Sequence, residues 1–80
     1  MREPPRSDLT PQQLRVLLAV VKLHREVGRV TVRAVRDEVG LESVSTAHAH
    51  LHQLRNKRFV EWDDGKAGTL RPLLEVVAHG

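Results

Sequence analysis

The chain has 80 residues, with 13 lysines and arginines against 10 aspartates and glutamates, a net charge of +3, and no cysteine. So short a chain makes one small domain near the lower limit for burying a core unaided, and without cysteine neither a disulfide nor a cysteine–zinc site can brace it. No apolar run approaches the roughly 20 residues that cross a bilayer, and the opening MREPPRSD lacks the apolar segment of a secretory signal, so residues 1–8 are expected to be a flexible lead-in to a cytoplasmic domain.

The first helix signal is TPQQ at residues 10–13. Thr10 is a good N-cap, Pro11 suits the first helical position, and Gln13 completes a capping box. Val16, Val20, Leu23 and Val27 follow at spacings of four, three and four, one stripe of a helix over residues 11–27. Gly28 suits the left-handed residue that ends it. A second apolar set, Leu14, Leu17, Leu18 and Val21, needs a cover of its own. Either the C-terminal residues Leu73, Leu74, Val76 and Val77 pack on it, or it is a dimer interface.

Thr31 is the next N-cap, and Val32, Val35 and Val39 face inward from a second helix that Gly40 stops. The β-branched run RVTV at residues 29–32 could instead be a short strand. Leu41 can drop into the core. Ser43 caps a third helix, residues 44–58, whose inward stripe is Ala47, Leu51 and Leu54. FVEW at residues 59–62 reads as a strand, DDGKAG as a turn with a strong Asp64-Gly65 hairpin signal, and TLR at residues 69–71 as the returning strand. Pro72 ends that strand or lies on an exposed edge.

The predicted fold is therefore mainly α with a small β-hairpin, a winged helix-turn-helix of three helices and a two-stranded wing over residues 9–74, followed by a tail over residues 75–80. In such an arrangement the third helix (44–58) fits a major groove about 12 Å wide, and the wing (62–71) lies on the adjacent backbone or minor groove. Charge follows the same division. From Ser43 to Val60 there is no acidic residue, while Arg55, Lys57 and Arg58 are basic, and Arg29, Arg33 and Arg36 lie just upstream. A local positive field is an electrostatic footprint for nucleic acid, and also an ordinary solvated face.

These segments resemble the DNA-binding domain of the LexA-type SOS repressors over residues 9–72. LTPQQ is similar to that family's opening Leu-Thr-x-x-Gln, and TVRAVRDEVGL to its Thr-x-x-Glu-Ile-Ala-x-x-Leu-Gly-Phe or -Leu stretch. SVSTAHAHLHQLRNKRFVEW follows its Ser-x-x-x-Ala-x-x-x-His-Leu-x-x-Leu-x-x-Lys-Gly pattern with two hydrophobic residues after it. There are departures. Arg36 stands where the family usually has a small alanine, so it snorkels outward or the helices cross differently. Arg58 replaces the glycine before the strand. The link from Gly28 to Thr31 is about one residue shorter. Those repressors also carry a self-cleaving Ser–Lys domain that 80 residues cannot contain, so self-cleavage is not carried over.

The resemblance implies a sequence-specific regulator of double-stranded DNA, repressor-like or an accessory factor, in a bacterium or phage. Ser43, Ser45, Thr46, His48 and Ala49 fall on or near the positions by which those repressors touch base edges. His52 joins them because residues four apart share a helix face. Arg33, Arg55, Lys57, Lys66 and Arg71 are the candidate phosphate contacts, which position without reading sequence. None of the base-edge candidates specifies a base as arginine does guanine. His50 points toward Leu51 and Leu54 and suits a half-buried, backbone-bonded histidine. A His-x-x-x-His pair can hold zinc or copper, but it wants further ligands that this helix lacks. No metal and no cofactor are expected.

With no glycine-rich phosphate loop, cysteine or tyrosine, and no third group to orient a His–Ser pair, neither catalysis nor a small-molecule substrate is expected. A lone module covers too little DNA for tight specific binding, about 600–1,000 Å², so a homodimer on DNA through Leu14, Leu18 and Val21 is a candidate. The competing expectation is a winged helix that docks on a protein such as a polymerase, a recombinase or another regulator. No membrane partner is expected, and the location would be the cytoplasm, with the nucleoid.

Overall fold

The computed structural model describes residues 9–73, as α1 (Pro11–Glu26), α2 (Val32–Val39), α3 (Val44–Asn56), β1 (Val60–Glu61) and β2 (Arg71–Pro72). Each helix begins on the residue whose side chain can accept from the orphan N–H groups of a first turn. Thr10, Thr31 and Ser43 accept from the backbone N–H of Gln13, Ala34 and Thr46. The α1 capping box is complete, since the Gln13 side chain accepts from the Thr10 N–H at 3.2 Å.

Gln13 does more than cap. It is 5% exposed, its side-chain amide donates to the Gln53 side chain, and its Oε1 accepts from Lys57 Nζ at 3.1 Å. A buried amide left unpaired is costly. Here it ties the start of α1 to the end of α3.

The helix ends show how the chain turns. Gly28, Gly40 and Arg58 have φ of +84°, +87° and +68°. After α3 the Phe59 N–H donates to the Leu54 carbonyl at 2.9 Å and the Arg58 N–H to the Arg55 carbonyl at 3.0 Å, the paired bonds of a Schellman motif. Arg58 thus occupies the left-handed site that glycine takes after α1 and α2. Helix α3 stops at Asn56, two residues before the sequence-based expectation, because this reversal uses Lys57 and Arg58.

The core gathers Val16, Leu17 and Val20 of α1, Val35 of α2, Leu51 and Leu54 of α3, and Val30, Phe59, Val60 and Leu70 from the connecting segments and wing. Burial of each such side chain contributes about 1.5–3 kcal/mol. The α1 stripe is shorter than its spacing predicts. Leu23 packs on the core edge, but Val27, the C-cap just beyond the last helical residue Glu26, is 66% exposed, and the chain reverses at Gly28 immediately after it. The second apolar set divides. Leu17 is buried and Val21 packs on the core, whereas Leu14 and Leu18 are 43% and 57% exposed. The residues 74, 76 and 77 expected to cover them lie outside the described residues.

The wing is a two-stranded antiparallel sheet in which Val60 pairs with Pro72 and Glu61 with Arg71. Pro72 is the last residue of β2 and is buried, so it ends the strand and does not lie on an exposed edge, and Leu73 donates to the Phe59 carbonyl at 3.1 Å. Both readings of RVTV have a part in the outcome. Val30 makes isolated bridges to Thr69 and Leu70, and Thr31 then caps α2. Arg36 does snorkel, with Nε 2.9 Å from Asp37 Oδ1. No described helix is long and apolar enough to cross a membrane.

Candidate nucleic-acid interface

Helix α3 is amphipathic in a particular way. Ala47, Leu51 and Leu54 are fully buried, which turns Ser45, Thr46, His48, Ala49 and His52 outward, all exposed. Ser43 is half-buried at the helix start. Its Oγ accepts from the Thr46 N–H at 3.2 Å and lies 3.1 Å from Thr46 Oγ1, so these two hydroxyls already share a hydrogen bond. His50 is half-buried on the other side, as its angular position requires.

The exposed face is not uniformly polar. The His48 and His52 rings meet edge to face with centroids 4.4 Å apart. Both lie against Trp62, at 6.0 Å and 5.2 Å. Arg55 also lies over the Trp62 ring, with its guanidinium carbon 4.2 Å from the ring centroid. Such edge-to-face and cation–π geometries are favourable through the ring quadrupole. Sequence reasoning placed Trp62 in a strand and gave it no role. The alternation of FVEW carries no signal that this ring would cross onto α3.

The five candidate phosphate residues divide in two. Arg33 near the start of α2 and Lys66 in the wing turn are exposed and carry no ion pair among the described residues. The other three are engaged within the domain. Lys57 reaches Gln13. Arg71 donates to the Thr69 carbonyl at 2.8 Å and lies 3.5 Å from Asp63. Arg55 donates through Nε to Glu61 at 2.8 Å, through Nη1 to Asp64 at 3.0 Å, and through Nη2 to the Trp62 carbonyl at 2.9 Å. These partners hold the Arg55 guanidinium more firmly protonated, the Glu61 bond first and Asp64 next. The same Arg55 bond, then the Trp62 N–H, holds the Glu61 carboxyl below the ordinary glutamate range.

That pairing alters the electrostatics of the wing. Asp63 and Asp64 beside Lys66 would weaken its field if unpaired, yet Arg71 and Arg55 answer them. What the wing turn adds to its surroundings is Lys66. The turn itself is shaped by Thr69, whose hydroxyl accepts from the Asp63 N–H at 2.9 Å and donates to the Lys66 carbonyl at 2.9 Å. Behind it the Arg29 side chain lies over Gly68, where an added Cβ would sit 2.6 Å from the guanidinium carbon. No group of three or more histidines, cysteines or acids that could hold a metal occurs among the described residues.

Comparison with known proteins agrees with this geometry. A family model described as the LexA DNA binding domain matches residues 6–69. Over 68 residues the chain is 37% identical to a LexA repressor of Pelotomaculum thermopropionicum, a stretch covering 84% of this chain and 34% of that protein. The chain thus spans about a third of the length of the curated relative it matches.

Proposed function

This chain belongs to the LexA DNA-binding domain family, and from that premise we propose that it is the DNA-reading part of a repressor-type transcriptional regulator. Helix α3 enters the major groove of double-stranded DNA and the wing rests on the adjacent backbone or minor groove. The observation that carries this is the exposed face of α3, with Ser45, Thr46, His48, Ala49 and His52 opposite a fully buried stripe and no acidic residue from Ser43 to Val60. Serine, threonine and histidine exchange hydrogen bonds with base edges, and the methyl groups of Thr46 and Ala49 meet thymine methyls. Arg33 and Lys66 neutralise phosphates. Work of this kind calls for the cytoplasm and the nucleoid, and it involves no catalytic step.

Two copies cooperate on a palindromic or repeated site, since one module covers only about 600–1,000 Å². The exposed Leu14 and Leu18 of α1 are the surface by which they meet. The competing reading is a wing that docks on a protein partner through its exposed turn, where Asp63 and Asp64 are already paired with Arg71 and Arg55.

Selection of bound duplexes from random DNA, followed by shift assays at two salt concentrations, tests the proposal. Steep salt dependence with competition by the selected duplex and not by random DNA is expected. Salt-insensitive binding, or no enrichment of any duplex, would remove DNA reading in favour of the protein-docking wing. Analytical ultracentrifugation with the selected duplex tests the second copy. A monomer at full affinity on a single half-site would count against it.

A further inference from the structure

Arg55 has the charge of a phosphate contact and the geometry of something else. Three separate groups of its guanidinium are committed inside the domain, to Glu61, Asp64 and the Trp62 carbonyl, and its central carbon lies over the Trp62 ring, 4.2 Å from the centroid. Its side chain is 27% exposed. Glu61 belongs to β1, Asp64 to the wing turn and Trp62 to the segment between them, while Arg55 lies in the last turn of α3. One planar cation therefore joins the reading helix to three consecutive parts of the wing. Trp62, so held, is the surface against which His48 and His52 rest.

We propose that Arg55 is a positioning residue: it fixes the wing against α3 and holds Trp62 beneath His48 and His52, so that helix, rings and wing meet DNA as one preset surface. The proposal rests on the DNA-reading function argued above and changes which residues carry it. Trp62 joins the binding surface, and Arg55 leaves the set of phosphate contacts. Preset geometry lowers the ordering cost of binding, so loss of the strut weakens binding without removing a charge from the DNA. Only a guanidinium fits the task, because lysine has one compact charge and no fork to span two carboxylates and a carbonyl.

Charge and position then predict opposite signs. Glu61→Gln/Asp64→Asn removes two negative charges near the DNA and releases Arg55, so a purely electrostatic role for Arg55 predicts tighter binding. Loss of the strut predicts weaker binding, by about three- to tenfold, the scale of losing a small set of exposed polar contacts. Arg55→Lys keeps the charge, and under the strut it is as poor as Arg55→Ala, whereas a phosphate contact would be rescued by lysine. The salt slope of log K stays at the wild-type value in Arg55→Ala, against a drop of about one for the loss of a true phosphate contact.

The probe is a duplex recovered from random DNA by the wild-type protein. Trp62, the single tryptophan of the chain, supplies a readout without DNA. Acrylamide quenching of its fluorescence should rise in Arg55→Lys and Arg55→Ala while far-ultraviolet circular dichroism stays that of a folded domain. Tighter binding by the double variant, rescue by lysine, or unchanged quenching would each overturn the proposal. If the wild-type protein binds no duplex with steep salt dependence, the DNA reading fails. The quenching comparison then still decides whether Arg55 holds the indole.

Discussion

Arg58→Gly should make this protein more stable, although it removes a side chain and adds backbone freedom. Arg58 has φ of +68°, in the left-handed region that costs an L-residue about 1–2 kcal/mol. It is held there by the two backbone bonds that reverse the chain after α3 and by the burial of Leu54 and Phe59 on either side of the reversal. Glycine removes the steric cost but loses about 0.5–1 kcal/mol more conformational entropy on folding. The net gain is about 0.5–1 kcal/mol. For a domain of this size that corresponds to a rise of about 3–6 °C in Tm.

Thermal melts followed by circular dichroism, with urea titrations as a check, measure it. Arg58→Ala keeps a Cβ, so it should show no gain, and Arg58→Asn should fall between the two because asparagine tolerates this backbone. Running the series at high salt separates backbone strain from the loss of one positive charge. A glycine variant that melts at or below the wild type, with alanine indistinguishable from it, would refute the assignment of strain to this residue.

Gly68→Ala should be costly, by about 1–2 kcal/mol, since φ is +80° and the new Cβ meets the Arg29 side chain. Pairing it with Arg29→Ala in a double-mutant cycle should recover the clash and leave the backbone strain. The Glu61 carboxyl is held below its ordinary value of 4.5 chiefly by Arg55, so its stabilising interaction is fully present above that pH and is lost as pH falls through the lowered value. Wild type and Glu61→Gln should accordingly differ in urea stability at neutral pH and converge in acid; a constant difference would contradict the pairing. On a selected duplex, Arg33→Ala and Lys66→Ala should each lower the salt slope of log K by about one, and unchanged slopes would remove them from the phosphate set.

Local chemistry made most of the architecture legible from the amino-acid order. Thr10, Thr31 and Ser43 begin helices because each can accept from a first-turn N–H, and Gly28 and Gly40 end them because the backbone there needs positive φ. The spacing of Ala47, Leu51 and Leu54 turned the polar side of α3 outward, and with it the base-edge candidates. These are interactions among residues a few positions apart, so one dimension suffices to see them.

The electrostatic partners were another matter. A run of basic residues without acids says nothing of which cations are already spoken for, because Glu61, Asp64 and Gln13 reach Arg55 and Lys57 only after α1, α3 and the wing have packed. Trp62 meets two histidines ten and fourteen positions earlier for the same reason. Side-chain periodicity assigns a residue to a face, whereas which faces meet depends on how the core brings the helices and the wing together. The linear order thus set the elements and their inward sides. Packing chose which charges stay available to a partner, since pairing across elements requires the chain to have closed on itself first.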